Sequence, residues 1–189
     1  MKRSLRVALF LVVITGLVVG HHFWREARRE RLFDRDIMAA AARHRVDPAL
    51  VKAVVWRESR FDEFARGGKG ELGLMQMMPA TAQDWVKAEK IALFFPRRLF
   101  DPATSTRAGT WYLRKLLDRY RHTDRPAVYA LADYNAGRVN VLRWAKGAAA
   151  TNSAAFLRGM TFPGTRDYVT AVLARRDHYA STMPLTPRR

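Results

Sequence analysis

Apolar positions recur at helical spacing along most of the chain, and no alternating apolar–polar run is long enough for a strand. The clearest stretch opens at Asp47-Pro48, where an Asp can cap free backbone N–H groups and Pro suits the first helical turn. A helix over Ala49 to Ser59 follows, with Leu50, Val51, Val54 and Val55 as its apolar stripe and Lys52 and Arg57 off it. Glu58 lies four residues after Val54 and three after Val55, so it projects from the apolar face. Burial disfavours a charged carboxylate and raises its pKa. A carboxylic acid kept protonated near neutral pH is what a general acid for glycosidic cleavage requires. The plainer reading is a Glu that turns into solvent at a helix end, and periodicity alone leaves both open.

The same period predicts further helices on either side. Phe33, Ile37, Ala40, Ala41 and His44 outline an amphipathic first helix, with His44 on its surface. Phe61 to Gly73 reads as a loop broken by Gly67-Gly68-Lys69-Gly70, which lacks the spacing of a phosphate-cradling loop. Helix signals resume from Pro79 to about Glu89, and Ile91 to Phe100 is an irregular packed connector. Asp101-Pro102 opens a helix that ends near Arg121-His122. Pro126 opens another that closes at Tyr134-Asn135-Ala136-Gly137, where Gly137 can supply a left-handed cap. Val139 to Trp144 is a short helix, Gly147 to Ser153 a surface loop or weak helix, and Thr165 to Ala180 the last helix. The fold class is therefore mainly α.

The N-terminus stands apart. A basic leader, Met1 to Arg6, precedes Val7 to Gly20, which is apolar apart from Thr15, and Phe23-Trp24 extends the run. Its length lies between a signal-peptide core and a full span of about 20 residues. Val18-x-Gly20 is a poor cleavage site, so residues 1–24 are expected to be an uncleaved signal anchor, with a signal peptide as the alternative. Residues 25–33 form a basic juxtamembrane linker, 34–180 the folded domain and 181–189 a disordered tail. Arg25, Arg28, Arg29, Arg31 and Arg35 follow the run, and positive-inside logic would hold them, with the domain behind them, on the cytoplasmic side.

Charge narrows the partners. The 189 residues carry 34 basic and 17 acidic side chains, a net +17, and no Cys for disulfides or thiolate metal sites. Nucleic acid, an anionic membrane and a polyanionic wall polymer all suit such a charge. The basic residues are scattered and no nucleic-acid motif is present, so nucleic acid is not expected.

Four short motifs decide between these. Glu58-Ser59-Arg60-Phe61, then Gly73-Leu74-Met75-Gln76 with Pro79-Ala80-Thr81-Ala82 behind it, Tyr134-Asn135-Ala136-Gly137, and Thr165-Arg166-x-Tyr168-Val169 stand in order. Over about residues 34 to 180 the chain resembles lytic transglycosylases of the soluble, goose-lysozyme-like (SLT) type. The resemblance implies a lysozyme-like helical domain with a substrate cleft, and a lyase acting on peptidoglycan glycan strands at the periplasmic side of the inner membrane. It makes Glu58 the single acid and base that yields 1,6-anhydro-muramic acid ends, with Ser59 and Tyr168 as supporting residues. Gly73, Leu74, Met75, Gln76, Tyr134 and Asn135 become substrate contacts, with Gln76 donating to a sugar. It implies no metal or cofactor; the membrane contact through residues 7–24 is expected from the apolar N-terminal run, and a recruiting protein is not identified.

Three positions depart from the family pattern: Glu71 and Asp133 replace small residues, and Gly164 replaces an acidic one. Glu71 and Asp133 read first as surface charges. A second carboxylate steering water, as in a goose-type hydrolase, is the alternative, and a catalytically dead peptidoglycan-binding module is another.

Overall fold

The computed structural model describes residues 2–183, with the side chains of residues 10–21 and 28–183. It divides into two compact units, Met1–Phe33 and Asp34–Arg189. The first is one helix, α1 (Lys2–Leu32), so the basic stretch expected as a linker continues the helix. Phe10 to Ile14 and Leu17 to Val19 keep their apolar side chains exposed. Among the described residues no helix is long and apolar enough to cross a membrane. Of the expected tail, residues 184–189 lie outside the described part, and α9 occupies 181–182.

The second unit is helical throughout: α2 (Asp34–His44), α3 (Pro48–Ser59), α4 (Pro79–Ala88), α5 (Pro102–Arg119), α6 (Pro126–Ala136), α7 (Arg138–Trp144), α8 (Ser153–Gly159) and α9 (Pro163–Thr182). Its only extended pairings among the described residues are the antiparallel bridges Arg66–Leu72 and Leu72–Met77. The expected mainly α class is what forms. Five of the helices begin on a Pro at the first turn, where the missing N–H costs nothing. Asp47 and Asp101 cap α3 and α5 by accepting from Ala49 N (3.0 Å) and Thr104 N (2.8 Å).

Helix α3 is the centre, packed chiefly on α9 and also on α2, while α5 bridges α2 and α6. Ala49 to Val55 are buried without a break, so α3 has no solvent side there. Lys52, expected off the stripe, is only 4% exposed. Its ammonium pairs with Asp34 Oδ1 at 2.5 Å and lies 4.9 Å from the Tyr179 ring centroid, which offsets its burial. His44 is likewise not a surface residue; its side chain is 8% exposed and sits 3.8 Å from Glu89. Burial, the larger effect, lowers its pKa in spite of that neighbour.

A second cluster fills the far end, where Tyr129 stacks on Phe156 at 4.1 Å and donates to the Ala149 carbonyl at 2.8 Å. The Gly147 to Ser153 stretch resolves into a 3-10 turn, Gly147–Ala150, leading into α8.

Asp133 is not a surface charge. It is 2% exposed and accepts from Arg119 Nη1 at 2.6 Å and from the Tyr120 hydroxyl at 2.7 Å. One face of α6 thus carries a buried carboxylate whose cost is met by two donors on α5 and its cap.

Candidate active site

Glu58 stands in the last turn of α3, half-buried. The chain then turns sharply, with Arg60 (φ 52) and Phe61 (φ 61) both left-handed and Asp62 N donating to Ser59 O at 3.0 Å. That turn keeps the helix end next to α9, which supplies Tyr168. The Tyr168 hydroxyl donates to Glu58 Oε1 at 2.5 Å. Ser59 takes another role from the one expected: its hydroxyl donates to Val55 O at 3.1 Å, closing the helix turn under Glu58.

Burial dominates the electrostatics. It pushes the Glu58 carboxyl up to about 7, against the Tyr168 hydrogen bond and the Arg57 charge, which both favour the carboxylate; the Glu71 charge adds to the rise. Burial also holds the Tyr134 and Tyr168 hydroxyls well above the usual phenol range, and the nearby Glu58 adds to both. Both tyrosines therefore stay protonated and act as hydrogen-bond donors.

The Gly73 to Gln76 segment is a tight loop pinned from several sides. Leu72 and Met77 exchange backbone hydrogen bonds, and Gly73 N donates to Ala65 O at 3.0 Å. Gly73 has φ +74, and a Cβ there would lie 1.9 Å from the Leu99 carbonyl oxygen, so only glycine fits. Gly109 on α5 lets Met75 lie against the helix, since a Cβ there would meet Met75 Sδ at 2.4 Å.

Leu74 and Met75 are fully buried, so their side chains present no surface to a sugar. Met75 is held instead, its N–H donating to Ser105 Oγ (3.3 Å) and its carbonyl accepting from the Tyr134 hydroxyl (2.8 Å). Tyr134 is thus a strut between α6 and this loop, and its ring lies 5.4 Å from that of Tyr112. Gln76, expected to donate to substrate, gives Nε2 to Ala65 O (3.1 Å) and Gly73 O (2.9 Å). Both amide hydrogens are engaged, which leaves Oε1 as an acceptor for a ligand.

Asn135 is exposed at the end of α6, and its Oδ1 accepts from Thr165 Oγ1 at 2.9 Å. That bond fixes the amide so that Nδ2 is the group left to donate. Thr165 and Ser105 were missed as supporting residues. Thr165 was visible inside its motif, whereas nothing in the pattern around Ser105 marks it. Glu71 folds back over the loop, with Oε2 accepting from Lys69 N at 2.9 Å. Among the described residues no group of three or more His, Cys, Asp or Glu is placed to hold a metal ion.

A helical unit with a glutamic acid of raised pKa at a helix end, braced by a buried tyrosine, fits the lysozyme-like class. The chain belongs to the transglycosylase SLT domain family, whose model matches residues 36–157. It is 34% identical over 136 residues to the soluble lytic murein transglycosylase of Escherichia coli K12, covering 71% of this chain and 21% of that protein. With the membrane-bound lytic murein transglycosylase C of Edwardsiella ictaluri it shares 32% over 149 residues, 76% of this chain and 40% of the relative. The X-ray structure of an inactive glutamate-to-glutamine mutant of Pseudomonas aeruginosa Slt matches with a TM-score of 0.72 at 28% identity, covering 79% of this chain and 24% of that one. The chain thus spans about a fifth of the soluble relative's length and two fifths of the membrane-bound one's.

Proposed function

We propose that the chain is a peptidoglycan lytic transglycosylase, cutting the β-1,4 bond between MurNAc and GlcNAc without water. The observation that carries this reading is Glu58: half-buried, pushed up to about 7 and held by Tyr168. Protonated Glu58 gives its proton to the bridging oxygen as the C1–O bond breaks. The resulting carboxylate then takes the proton of the muramic 6-hydroxyl, whose oxygen closes on C1 to form the 1,6-anhydro ring. Glu58 is thereby reprotonated and the cycle closes. Gln76 Oε1 and Asn135 Nδ2 are offered as sugar contacts, one acceptor and one donor. A purely binding module has no use for a buried acid, and the inactive glutamate-to-glutamine mutant of the Pseudomonas relative supports a catalytic reading.

One observation favours hydrolysis as a second reading. The Glu71 charge is felt at Glu58, so it is a candidate to orient a water; Asp133, engaged by Arg119 and Tyr120, is not. Product mass separates the two. The transglycosylase reading expects muropeptides ending in 1,6-anhydro-muramic acid, lighter by one water than hydrolysis products, and a Glu58→Gln enzyme slower by roughly 10² to 10⁴. Reducing-end products lost on Glu71→Gln would establish the hydrolase instead, and a fully active Glu58→Gln would remove both.

We place the enzyme at the periplasmic side of the inner membrane, with residues 7–24 as signal anchor, or in the periplasm if that segment is cleaved. The exposed apolar side chains from Phe10 to Val19 and the membrane-bound relative support the anchored form.

A further inference from the structure

Arg57 immediately precedes the proposed acid, and the transglycosylase scheme gives it nothing to do. It is half-buried, and its guanidinium carbon lies 5.4 Å from the centroid of the Tyr168 ring, the same ring whose hydroxyl holds Glu58. Several other arginines pair with carboxylates: Arg43 and Arg107 with Glu89, Arg114 with Asp118, Arg119 with Asp133 and Arg176 with Asp47. Among the described residues Arg57 has neither an ion pair nor a hydrogen bond, only the neighbouring tyrosine ring. Its N–H groups are therefore free to meet a carboxylate in a two-bond fork.

Its position is otherwise counterproductive. A cation beside the general acid favours the ionised carboxylate and so lowers the fraction of enzyme that holds the proton near neutral pH. It also opposes the positive charge that the sugar develops as the glycosidic bond breaks. Both penalties vanish if the bound substrate brings an anion to neutralise the guanidinium. A role limited to the helix C-terminal dipole would stabilise the fold but would not distinguish one ligand from another.

On the reading given above, we propose that Arg57 is a specificity-determining residue that receives a carboxylate carried on the muramic acid 3-substituent. Two sources share that chemistry: the stem peptide, and the lactyl group left when the peptide is removed. The enzyme then selects muramic acid over an unsubstituted amino sugar by charge as well as by shape, and Arg57 is silenced only in the correct complex.

Binding to the full chain carrying Glu58→Gln tests this, since slow turnover no longer disturbs a titration. Three tetrasaccharides serve as probes: a peptide-bearing GlcNAc–MurNAc dimer, the same dimer after amidase treatment, and chitotetraose, which has no carboxylate. Adding Arg57→Met should weaken the dimer that carries the recognised carboxylate by roughly 10- to 100-fold, the range for a hydrogen bond to a charged group, and leave chitotetraose within about twofold. Loss for the peptide-bearing dimer alone assigns the stem-peptide carboxylate; loss for the amidase-treated dimer alone assigns the lactyl carboxylate, which is an amide while the peptide is attached; loss for both means that Arg57 accepts either. Arg57→Lys should recover part of the affinity as a point charge. Arg114→Gln, which removes one positive charge from the Arg114–Asp118 pair on α5, should change none of the three. Equal weakening of all three ligands by Arg57→Met, or no weakening of either dimer, would overturn the inference while leaving the enzyme reading intact. A chain that binds none of the three would overturn both.

Discussion

Glu58 and Tyr168 act as one unit, and their coupling has a sign that can be measured. The tyrosine hydroxyl favours the ionised carboxylate, while burial favours the acid and wins. The proposed mechanism starts from the acid form, so it expects the rate to fall as pH rises through about 7. Tyr168→Phe removes the one hydrogen bond that pulls the pKa down. The falling limb of the pH–rate profile should therefore move upward by roughly one unit, while the maximal rate drops about tenfold through lost orientation. A limb that moves down, or stays in place, would separate the two residues. The apolar stripe of α3 set Glu58 on the buried face, but the period alone left it open, and the motifs that follow marked it as the acid. The partners of Gln76 were not legible. They are the carbonyls of Ala65 and Gly73, brought to its amide by a loop closure that no period encodes.

At the scale of elements, the two departures from the family pattern separate. Glu71 sits on the pinned loop beside the site, whereas Asp133 faces away from chemistry and ties α6 to the end of α5. Asp133→Ala leaves the Arg119 guanidinium and the Tyr120 hydroxyl without their acceptor. It should cost about 2–4 kcal/mol, toward the lower end because Arg119 keeps contact with water, and should leave the identity of the products unchanged. Denaturant unfolding checks the first part and product mass the second; changed products with full stability would return Asp133 to the chemistry. The helices themselves were readable, since Pro at the first turn and an Asp cap are local signals. What the sequence concealed were the environments of Lys52, His44 and Asp133, each buried among residues remote in the chain. A charged side chain gives no local sign of whether a partner waits for it in the fold.

At the scale of the whole molecule, topology is the open physical question. A net charge of +17 suits a polyanionic wall polymer, yet the arginines that follow the apolar run favour a cytoplasmic location. If residues 7–24 anchor the chain with its folded unit outside the inner membrane, protease added to spheroplasts should digest residues 25–189. Full protection would put the arginines inside and remove the wall-enzyme reading with them. The proposed chemistry depends on Glu58 being a carboxylic acid near neutral pH, and its titration tests that most directly. In the full chain labelled with 13C at the glutamate carboxyls, the resonance missing from Glu58→Gln should titrate with a midpoint of about 7. A midpoint at the ordinary value of 4.5 would mean that Glu58 is ionised at neutral pH and cannot start the reaction.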